Sequence, residues 1–261
     1  MPHEQLLAIA RTGAPVAEQE PEISRVLAAH GVPAELVLAG ASEGIVLLED
    51  GDGPSRISGP ALLPPGEEWP HTADGRPLSF LAALDLATLG AFAPLPTTGT
   101  LLVYIDIDFE DLNFLDGTRV FHVSDAPVPA TEPDDAYAVD AIAVSGVRTL
   151  VPGSAHELPD EAYESWDELW RAPFHQLLGT SFDVQGPVLD EIEYWFGTFG
   201  PDVQQRFTDE ERAGKGWSLL GQIDSTGDLM FGDAGTVYFV IPDVDLVAGR
   251  FERVMGIMQC G

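Results

Sequence analysis

Two segments of the chain repeat the same apolar pattern, and this repeat limits the folds that the chain can adopt. Residues 80–85 read Phe-Leu-Ala-Ala-Leu-Asp, and residues 219–224 read Leu-Leu-Gly-Gln-Ile-Asp. Each is followed by a second apolar run that begins with Gly-Thr, at residues 99–105 and 235–241. Short runs rich in β-branched and aromatic residues, and bounded by Gly, Pro and Asp, are typical of buried strands. The sequence therefore predicts a strand–connection–strand unit that is used twice.

The order of the remaining elements indicates the fold class. Helices are predicted within the first forty residues, at residues 156–171 and 187–196, and as a short turn at 244–248. Strands are predicted at residues 44–49, 78–86, 99–107, 118–123, 138–150 and from 216 onward. Strands followed by helices and then by strands favour an α+β fold with mostly antiparallel sheets and peripheral helices. We expect residues 1–54 to form a helical extension with one strand, and residues 55–261 to form one interwoven, duplicated α+β domain.

The charge of the chain restricts its partners. It has 43 acidic against 12 basic residues and a net charge of −31. Such a chain is repelled by nucleic acid and by anionic membranes, because both are bound through Lys and Arg. Its field attracts a basic protein or a cation instead. The alternative is that the acidity only maintains solubility or reflects a salt-rich cytosol.

Cysteine content and the N-terminal sequence indicate the compartment. Cys260 is the only cysteine, so the chain has no intramolecular disulfide and no cysteine-based zinc site. The N-terminal residues lack the basic region of a signal peptide, and no apolar run reaches the roughly 20 residues of a membrane helix. We expect a soluble cytoplasmic protein, and the sequence leaves its oligomeric state open.

An ordered series of motifs runs through the chain from about residue 55. The motifs are Leu-Pro at residues 63–64, Trp-Pro at 69–70, Phe-Leu at 80–81, Leu-Asp at 84–85, His-Gln-Leu-Leu-Gly at 175–179, Gln at 185, Leu-Leu-Gly-Gln-Ile-Asp at 219–224, Gly-Asp-Ala-Gly at 232–235 and Met-Gln-Cys at 258–260. This series resembles the YwqG-like family of bacterial proteins, a family without an established activity. The resemblance implies a shared fold and supplies no reaction.

The chain departs from that family at two places. Ala83 stands where the family typically has Gln in the first repeat, and Ser58-Gly59 stands where it typically has Gly-Gly. If the first Gln belongs to a binding site, that half of the site is impaired here. The second half, with Gln222 and Asp224, is intact.

The two aspartates that end the repeats are candidate site residues. Asp85 and Asp224 occupy equivalent positions, so a fold with twofold pseudosymmetry brings both near one axis. Paired carboxylates can share a proton or hold a metal. In the alternative interpretation each Asp ends a strand and accepts backbone N–H groups of the following turn.

The other candidate ligand contacts are polar or aromatic residues near the repeats. Gln222 lies in an apolar strand and needs hydrogen-bond partners if it is buried, either in a site or in the scaffold. His175 is a candidate acid–base group near neutral pH, or else a packed histidine. The remaining candidates are Gln176, Gln185, Asp233 and Trp69. Trp69 also suits packing in a core.

Two further segments only superficially match functional motifs. An EF-hand loop beginning at Asp106 would need Gly at its sixth and Glu at its twelfth position, where the chain has Asp111 and Gly117. The acidic segment 106–111 is therefore interpreted as a half-buried strand that leaves the sheet. Residues 40–44 match G-x-S-x-G, but a strand rather than a helix is predicted to follow. The sequence contains no phosphate-binding loop, dinucleotide motif or H-E-x-x-H motif, and it predicts no catalytic residue, metal or cofactor.

These observations favour an acidic intracellular binding protein, an antagonist or regulator of a basic protein. The alternative is an enzyme, or a small-molecule or metal-binding protein, with a pocket between the duplicated halves. His175, Gln222, Asp224 and Asp233 would be its contacts. A third possibility is a structural domain within a larger assembly.

Overall fold

The computed structural model describes residues 2–107, 116–134, 136–153, 158–170 and 174–260. The helices are α1 (Pro2–Ala10), α2 (Val16–Ala29), α3 (Ala34–Leu38), α4 (Asp160–Trp170), α5 (Ile192–Thr198), α6 (Pro201–Gln204), α7 (Asp209–Arg212) and α8 (Asp243–Ala248), with a 3₁₀ helix at Val188–Glu191. The strands are β1 (Ser42–Leu48), β2 (Arg56–Ile57), β3 (Leu62–Leu63), β4 (Ser79–Asp85), β5 (Thr100–Ile105), β6 (Thr118–Val123), β7 (Val128–Pro129), β8 (Ile142–Ala143), β9 (Ser145–Val151), β10 (His175–Leu178), β11 (Trp217–Asp224), β12 (Thr236–Pro242) and β13 (Met255–Gln259).

The strands form two large sheets and one small sheet. The six-stranded sheet has the order β13-β12-β11-β10-β1-β9, and the five-stranded sheet has the order β6-β5-β4-β2-β8. Strands β3 and β7 form a separate pair. The strand pairs are antiparallel. The predicted α+β class with mostly antiparallel sheets is therefore confirmed.

The main hydrophobic core lies between the two large sheets. It contains Ile45 and Phe239 from the six-stranded sheet together with Leu81 and Val103 from the five-stranded sheet. Helices α1, α2 and α4 pack on the outer face of the six-stranded sheet around Val46 and Val151, and helix α5 packs on the same sheet around Tyr238 and Val240. The outer face of the five-stranded sheet is covered by residues 61–69, which pack against Phe80 and Tyr104. The apolar strands are therefore buried on both faces, which explains their nearly continuous apolar sequences.

The strand predicted at residues 138–150 is divided in the structure. Strand β8 pairs with β2 in the five-stranded sheet, whereas β9 pairs with β1 in the six-stranded sheet. Val144 lies buried between them and donates its backbone N–H to the Ser55 carbonyl at 3.0 Å. The chain crosses from one sheet to the other at this residue, and a continuous apolar pattern does not reveal a change of partner strand.

The helix predicted at residues 156–171 begins later, at Asp160, while residues 154–157 and 171–173 lie outside the described part of the chain. The acidic segment predicted to leave the sheet also falls mostly outside it, at residues 108–115. Within the described ranges, no helix combines the length and apolar content that crossing a bilayer requires.

A cluster of charged side chains joins helix α7, helix α8 and the segment before β13. The side chain of Arg253 contacts Asp245 at 2.5 Å and Glu211 at 3.1 Å, and Arg250 also contacts Asp245 at 2.7 Å. The Asp245 side chain is 3% exposed. Burial would raise the pKa of Asp245, but the hydrogen bonds from Arg253 and Arg250 outweigh burial and hold it below its ordinary value. The arginines therefore keep two largely buried carboxylates ionised.

We expect Arg253→Met to destabilise the fold. The substitution removes the Arg253 partner of Glu211, while Asp245 keeps Arg250, and a buried charge left uncompensated costs up to about 3–5 kcal/mol. Urea unfolding at neutral pH measures the loss. The matched control is Arg25→Met on helix α2, because Arg25 forms an exposed pair with Glu22 and should show no measurable change. Equal losses in the two variants would contradict the role assigned to Arg253.

Candidate functional site

The two candidate aspartates occupy matching positions in two antiparallel meanders, β4–β5–β6 and β11–β12–β13. Asp85 is the cross-strand neighbour of Thr100, and Asp224 is that of Thr236. Both meanders also contain one irregularity in the first strand, between Phe80 and Ala82 in one and between Leu219 and Gly221 in the other. The two aspartates therefore have similar cross-strand neighbours and similar strand irregularities nearby.

The two carboxylates bind different groups. Asp85 Oδ1 accepts a hydrogen bond from the backbone N–H of Thr88 at 2.8 Å, in the turn that follows β4. Asp224 accepts hydrogen bonds from the backbone N–H of Phe174 and from the Thr236 hydroxyl, the latter at 2.7 Å. Burial raises the pKa of Asp224, although these hydrogen bonds act in the opposite direction. Asp85 thus binds the turn after its own strand, which is the local role considered for a strand-ending Asp, whereas Asp224 joins its meander to the residue before β10.

His175 is fully buried and has a partner at each ring nitrogen. Its Nδ1 accepts the backbone N–H of Asp224 at 3.0 Å, and its Nε2 lies 3.0 Å from Glu49 Oε1. Because Nδ1 accepts, the ring proton is assigned to Nε2, which donates to Glu49. The Thr226 hydroxyl donates to the same carboxylate oxygen at 2.6 Å. The hydrogen bond from His175 lowers the pKa of Glu49.

This arrangement is better suited to holding the fold together than to acid–base chemistry. A general base needs a free ring nitrogen within hydrogen-bond reach of a substrate proton. Both nitrogens of His175 are engaged and its ring is buried, whereas the Glu49 side chain is 35% exposed. Glu49 is therefore the part of the cluster that solvent reaches, and sequence reasoning did not identify it because it lies 126 residues from His175.

Gln176 and Gln222 are cross-strand neighbours whose buried side chains form hydrogen bonds with nearby backbone groups. Gln222 accepts the backbone N–H of Phe182 at 2.9 Å and donates to the carbonyl of Phe174 at 3.0 Å. Gln176 donates to the carbonyls of Leu178 at 2.9 Å and Thr180 at 2.8 Å. Gln176 Oε1 has no hydrogen-bond partner among the residues described. The two amides fix the end of β10 and the segment that follows it; Leu178, the last residue of β10, has a left-handed φ of 55°.

Gln259 on β13, two strands from β11 in the sheet, has the same role, and sequence reasoning missed it. Its side-chain oxygen accepts the backbone N–H groups of Val184 at 2.8 Å and Gln185 at 3.0 Å. Its amide donates to the Gly186 carbonyl at 2.8 Å. The signal was available, because Gln259 is a buried amide in an apolar strand just as Gln222 is. The Gln185 side chain, in turn, donates to the Cys260 carbonyl at 2.6 Å and is largely exposed.

The structure separates the remaining candidates from this group. Trp69 lies on the outer face of the five-stranded sheet, where its Nε1 donates to the Leu78 carbonyl at 2.9 Å and its ring meets Tyr104 edge-on at 5.5 Å. Asp233 is exposed in the turn before β12. Four candidates, His175, Gln176, Gln222 and Asp224, therefore come together around residues 174–182, whereas Asp85 lies in the other sheet and Trp69 packs on its outer face. The described residues include no group of three or more His, Cys, Asp or Glu side chains placed to hold a metal ion.

We expect Gln222→Met to destabilise the protein without changing its surface. The substitution leaves the Phe182 N–H and the Phe174 carbonyl unpaired in the interior, at a cost of about 1–3 kcal/mol for each group. Urea unfolding measures the change. Gln185→Met is the matched control, because this amide is exposed and surface substitutions usually change stability by about 0.5 kcal/mol or less. A Gln222→Met variant as stable as the control would show that the amide is not a structural element.

We expect Glu49 to contribute to the pH dependence of stability. Its folded-state pKa is lowered, so its contribution is present above the unfolded value of about 4.3 and is lost as the pH falls through the folded value. The difference in unfolding free energy between wild type and Glu49→Gln should therefore shrink on acidification from neutral pH. Chemical unfolding across this range checks it, with the exposed Glu35→Gln as control. A difference that stays constant would contradict the account.

The comparisons with known proteins identify a family and no activity. Residues 55–260 match DUF1963, described as a domain of unknown function. The match begins immediately before β2 and ends immediately after β13, so it includes both meanders. No curated protein matches the sequence. Because the family match covers well over half of the chain, the chain belongs to the DUF1963 family.

Proposed function

We propose that the protein is a cytoplasmic binding protein whose acidic surface engages a basic protein, as its antagonist or regulator. The observation that carries this proposal is the large negative charge that the fold leaves uncompensated. A net charge of −31 produces a strong field around a chain of 261 residues. Such a field accelerates association with oppositely charged partners.

Most of the arginines already form ion pairs with carboxylates of the same chain. Arginines in ion pairs with carboxylates are Arg11, Arg25, Arg76, Arg148, Arg212, Arg250 and Arg253. These pairs involve a small part of the 43 acidic residues. The remaining carboxylates have no comparable supply of arginine or lysine, so the surface field stays negative over most of the molecule.

The hydrogen bonds of the candidate residues also support binding rather than catalysis. His175, Gln222 and Asp224 are engaged with backbone groups of their own sheet. A catalytic group needs capacity for a bond with the substrate. The buried polar residues therefore stabilise the fold. A partner would be bound through the charge and shape of the surface.

The alternative proposal is a small-molecule or metal site between the two halves, with or without catalysis. A cleft of about 710 Å³ does lie between residues 119–125 of the first meander and residues 249–252 of the C-terminal half. Its lining does not include His175, Gln222, Asp224 or Asp233. A ligand that binds only the folded state raises the unfolding midpoint, so a screen of metabolites and divalent cations by thermal unfolding tests this alternative.

We further propose that the two meanders derive from one duplicated unit and that the chain is YwqG-like. Ser55 Oγ accepts the backbone N–H of Asp85 at 2.9 Å, as His175 Nδ1 accepts that of Asp224 at 3.0 Å. Ser58 and Leu178, each three residues further along, both have a left-handed φ, 56° and 55°. Repeated side-chain and backbone geometry at matching positions supports a common origin for the two halves.

We expect the tagged protein to capture a basic protein from the lysate of its own source, at low but not at high salt. At about 0.1 M salt the Debye length is about 10 Å, and at 1 M it is about 3 Å, so a charge-driven complex should dissociate as salt rises. Mass spectrometry identifies the captured proteins. A protein of similar size and no strong charge serves as the control bait. A retained set that is not basic, or that survives high salt, would contradict the proposal.

A further inference from the structure

The short strand β10 leaves a gap at one end of the six-stranded sheet. Its last residue, Leu178, lies opposite Gly44 of β1, and its pairing with β11 ends at Leu177. Strands β1 and β11 run antiparallel to β10 and begin beyond these pairs, at Ser42 and Trp217. The first residues of β1 and β11 therefore lie on either side of a space that β10 does not fill.

Two consecutive residues with a left-handed backbone end β10 at this gap. Leu178 has a φ of 55° and Gly179 a φ of 80°. A Cβ atom at position 179 would lie 2.8 Å from the Val151 side chain, so only glycine fits the turn. Because the backbone conformation ends the strand, the gap does not depend on the rotamer of a single side chain.

A pocket of about 320 Å³ occupies the gap. Its floor consists of buried apolar side chains: Leu178 and Leu246 from the main core, and Trp217 and Leu219 from the core around helix α5. The volume lies at the lower end of the range of about 300–1,000 Å³ that is typical of ligand pockets. The floor can therefore bury a small ring or a branched apolar chain.

Solvent reaches this pocket through its mouth. Ser42 and Pro94 are exposed there, and Phe92, Ser181 and Ser218 are half-buried. These residues come from the start of β1, the connection between β4 and β5, the turn after β10 and the start of β11. The pocket thus lies where several separate parts of the chain meet, as ligand sites commonly do.

The lining of the pocket is neutral, although the chain has a net charge of −31. Among the described residues, Glu43 is the one charged side chain in the lining, and it forms an ion pair with Arg148. The Arg148 guanidinium also lies over the ring of Phe92, 4.1 Å from its centroid. An ion in the pocket would lose its hydration without gaining a counter-charge. The lining therefore favours a neutral ligand, even though the field of the chain attracts cations.

Hydroxyl groups supply the polar part of the lining. The hydroxyls of Ser42 and Thr180 bind each other at 2.9 Å, and the Ser218 hydroxyl donates to Asp243 at 2.6 Å. Within the described ranges, the Ser181 hydroxyl forms no hydrogen bond with another residue. A free hydroxyl can both donate and accept, so Ser181 is able to bind a polar group of a ligand at the mouth.

We propose that this pocket binds a small neutral molecule with an apolar ring or branched chain and one hydrogen-bonding group. The apolar part packs against Trp217, Leu219 and Leu246, and the polar group binds the Ser181 hydroxyl. The inference goes beyond the proposed function and does not depend on it, because the pocket selects against charge whereas the proposed partner is bound through charge.

The first experiment compares three probes of similar shape, benzyl alcohol, benzylammonium and benzoate, by ligand-observed NMR titration with the full chain. Benzyl alcohol should show saturable binding that is about tenfold or more tighter than that of either ion, because neither ion finds a counter-charge in the pocket. Benzylammonium is the stringent comparison, since the net charge of the chain attracts it. No saturable binding of benzyl alcohol, or tighter binding of benzylammonium, would overturn the proposal.

The second experiment locates the bound probe. Ser181→Phe places a ring in the mouth of the pocket and should abolish binding of benzyl alcohol. The matched control is Thr131→Phe, at an exposed position outside the pocket, which should retain it. Circular dichroism and the unfolding midpoint establish that both variants fold. Equal binding by the two folded variants would show that the probe binds elsewhere and would overturn the site.

The third experiment changes the charge of the pocket and does not need Ser181→Phe to fold. Arg148→Gln leaves Glu43 without its cation, so the preference for benzyl alcohol over benzylammonium should fall by about tenfold or more. The matched control is Arg25→Gln, which removes the same charge from an exposed pair with Glu22 and should leave the preference unchanged. An unchanged preference in Arg148→Gln, or the same fall in both variants, would contradict selection by a neutral lining.

Discussion

The structure depends on how each meander binds the strand beside it. The backbone N–H of Asp85 is held by Ser55, and that of Asp224 is held by His175. An unpaired buried N–H is costly, so these bonds fix β2 beside β4 and β10 beside β11 in one register. The six-stranded sheet then continues from β10 to β1, and the five-stranded sheet continues from β2 to β8.

Because these polar side chains already bind backbone groups of the fold, few of them remain to contact a ligand. The buried glutamines, His175 and Asp224 satisfy backbone groups that would otherwise be unpaired in the interior. Polar residues that would suggest catalysis in an apolar sequence are therefore part of the scaffold. What the chain presents outward is a strongly negative surface. This charge supports the proposed binding of a basic protein.

The sequence was informative wherever a local pattern sufficed. The apolar runs predicted the strands that the structure has at β4, β5, β11 and β12, because alternation and turn residues are local properties. The division of residues 138–150 between two sheets was not predictable, since it depends on partner strands far along the chain. The same holds for the contact of Glu49 with His175 and for the cleft, whose walls come from residues 64–70, 119–125 and 249–252. Such contacts follow from topology rather than from spacing.

Binding of a fluorescent arginine-rich peptide to the full chain, measured by anisotropy at rising salt, tests the central claim most directly. The account expects affinity at low salt that falls steeply as the Debye length shortens from about 10 Å at 0.1 M to about 3 Å at 1 M. No binding at low salt, or an affinity that salt does not change, would contradict it.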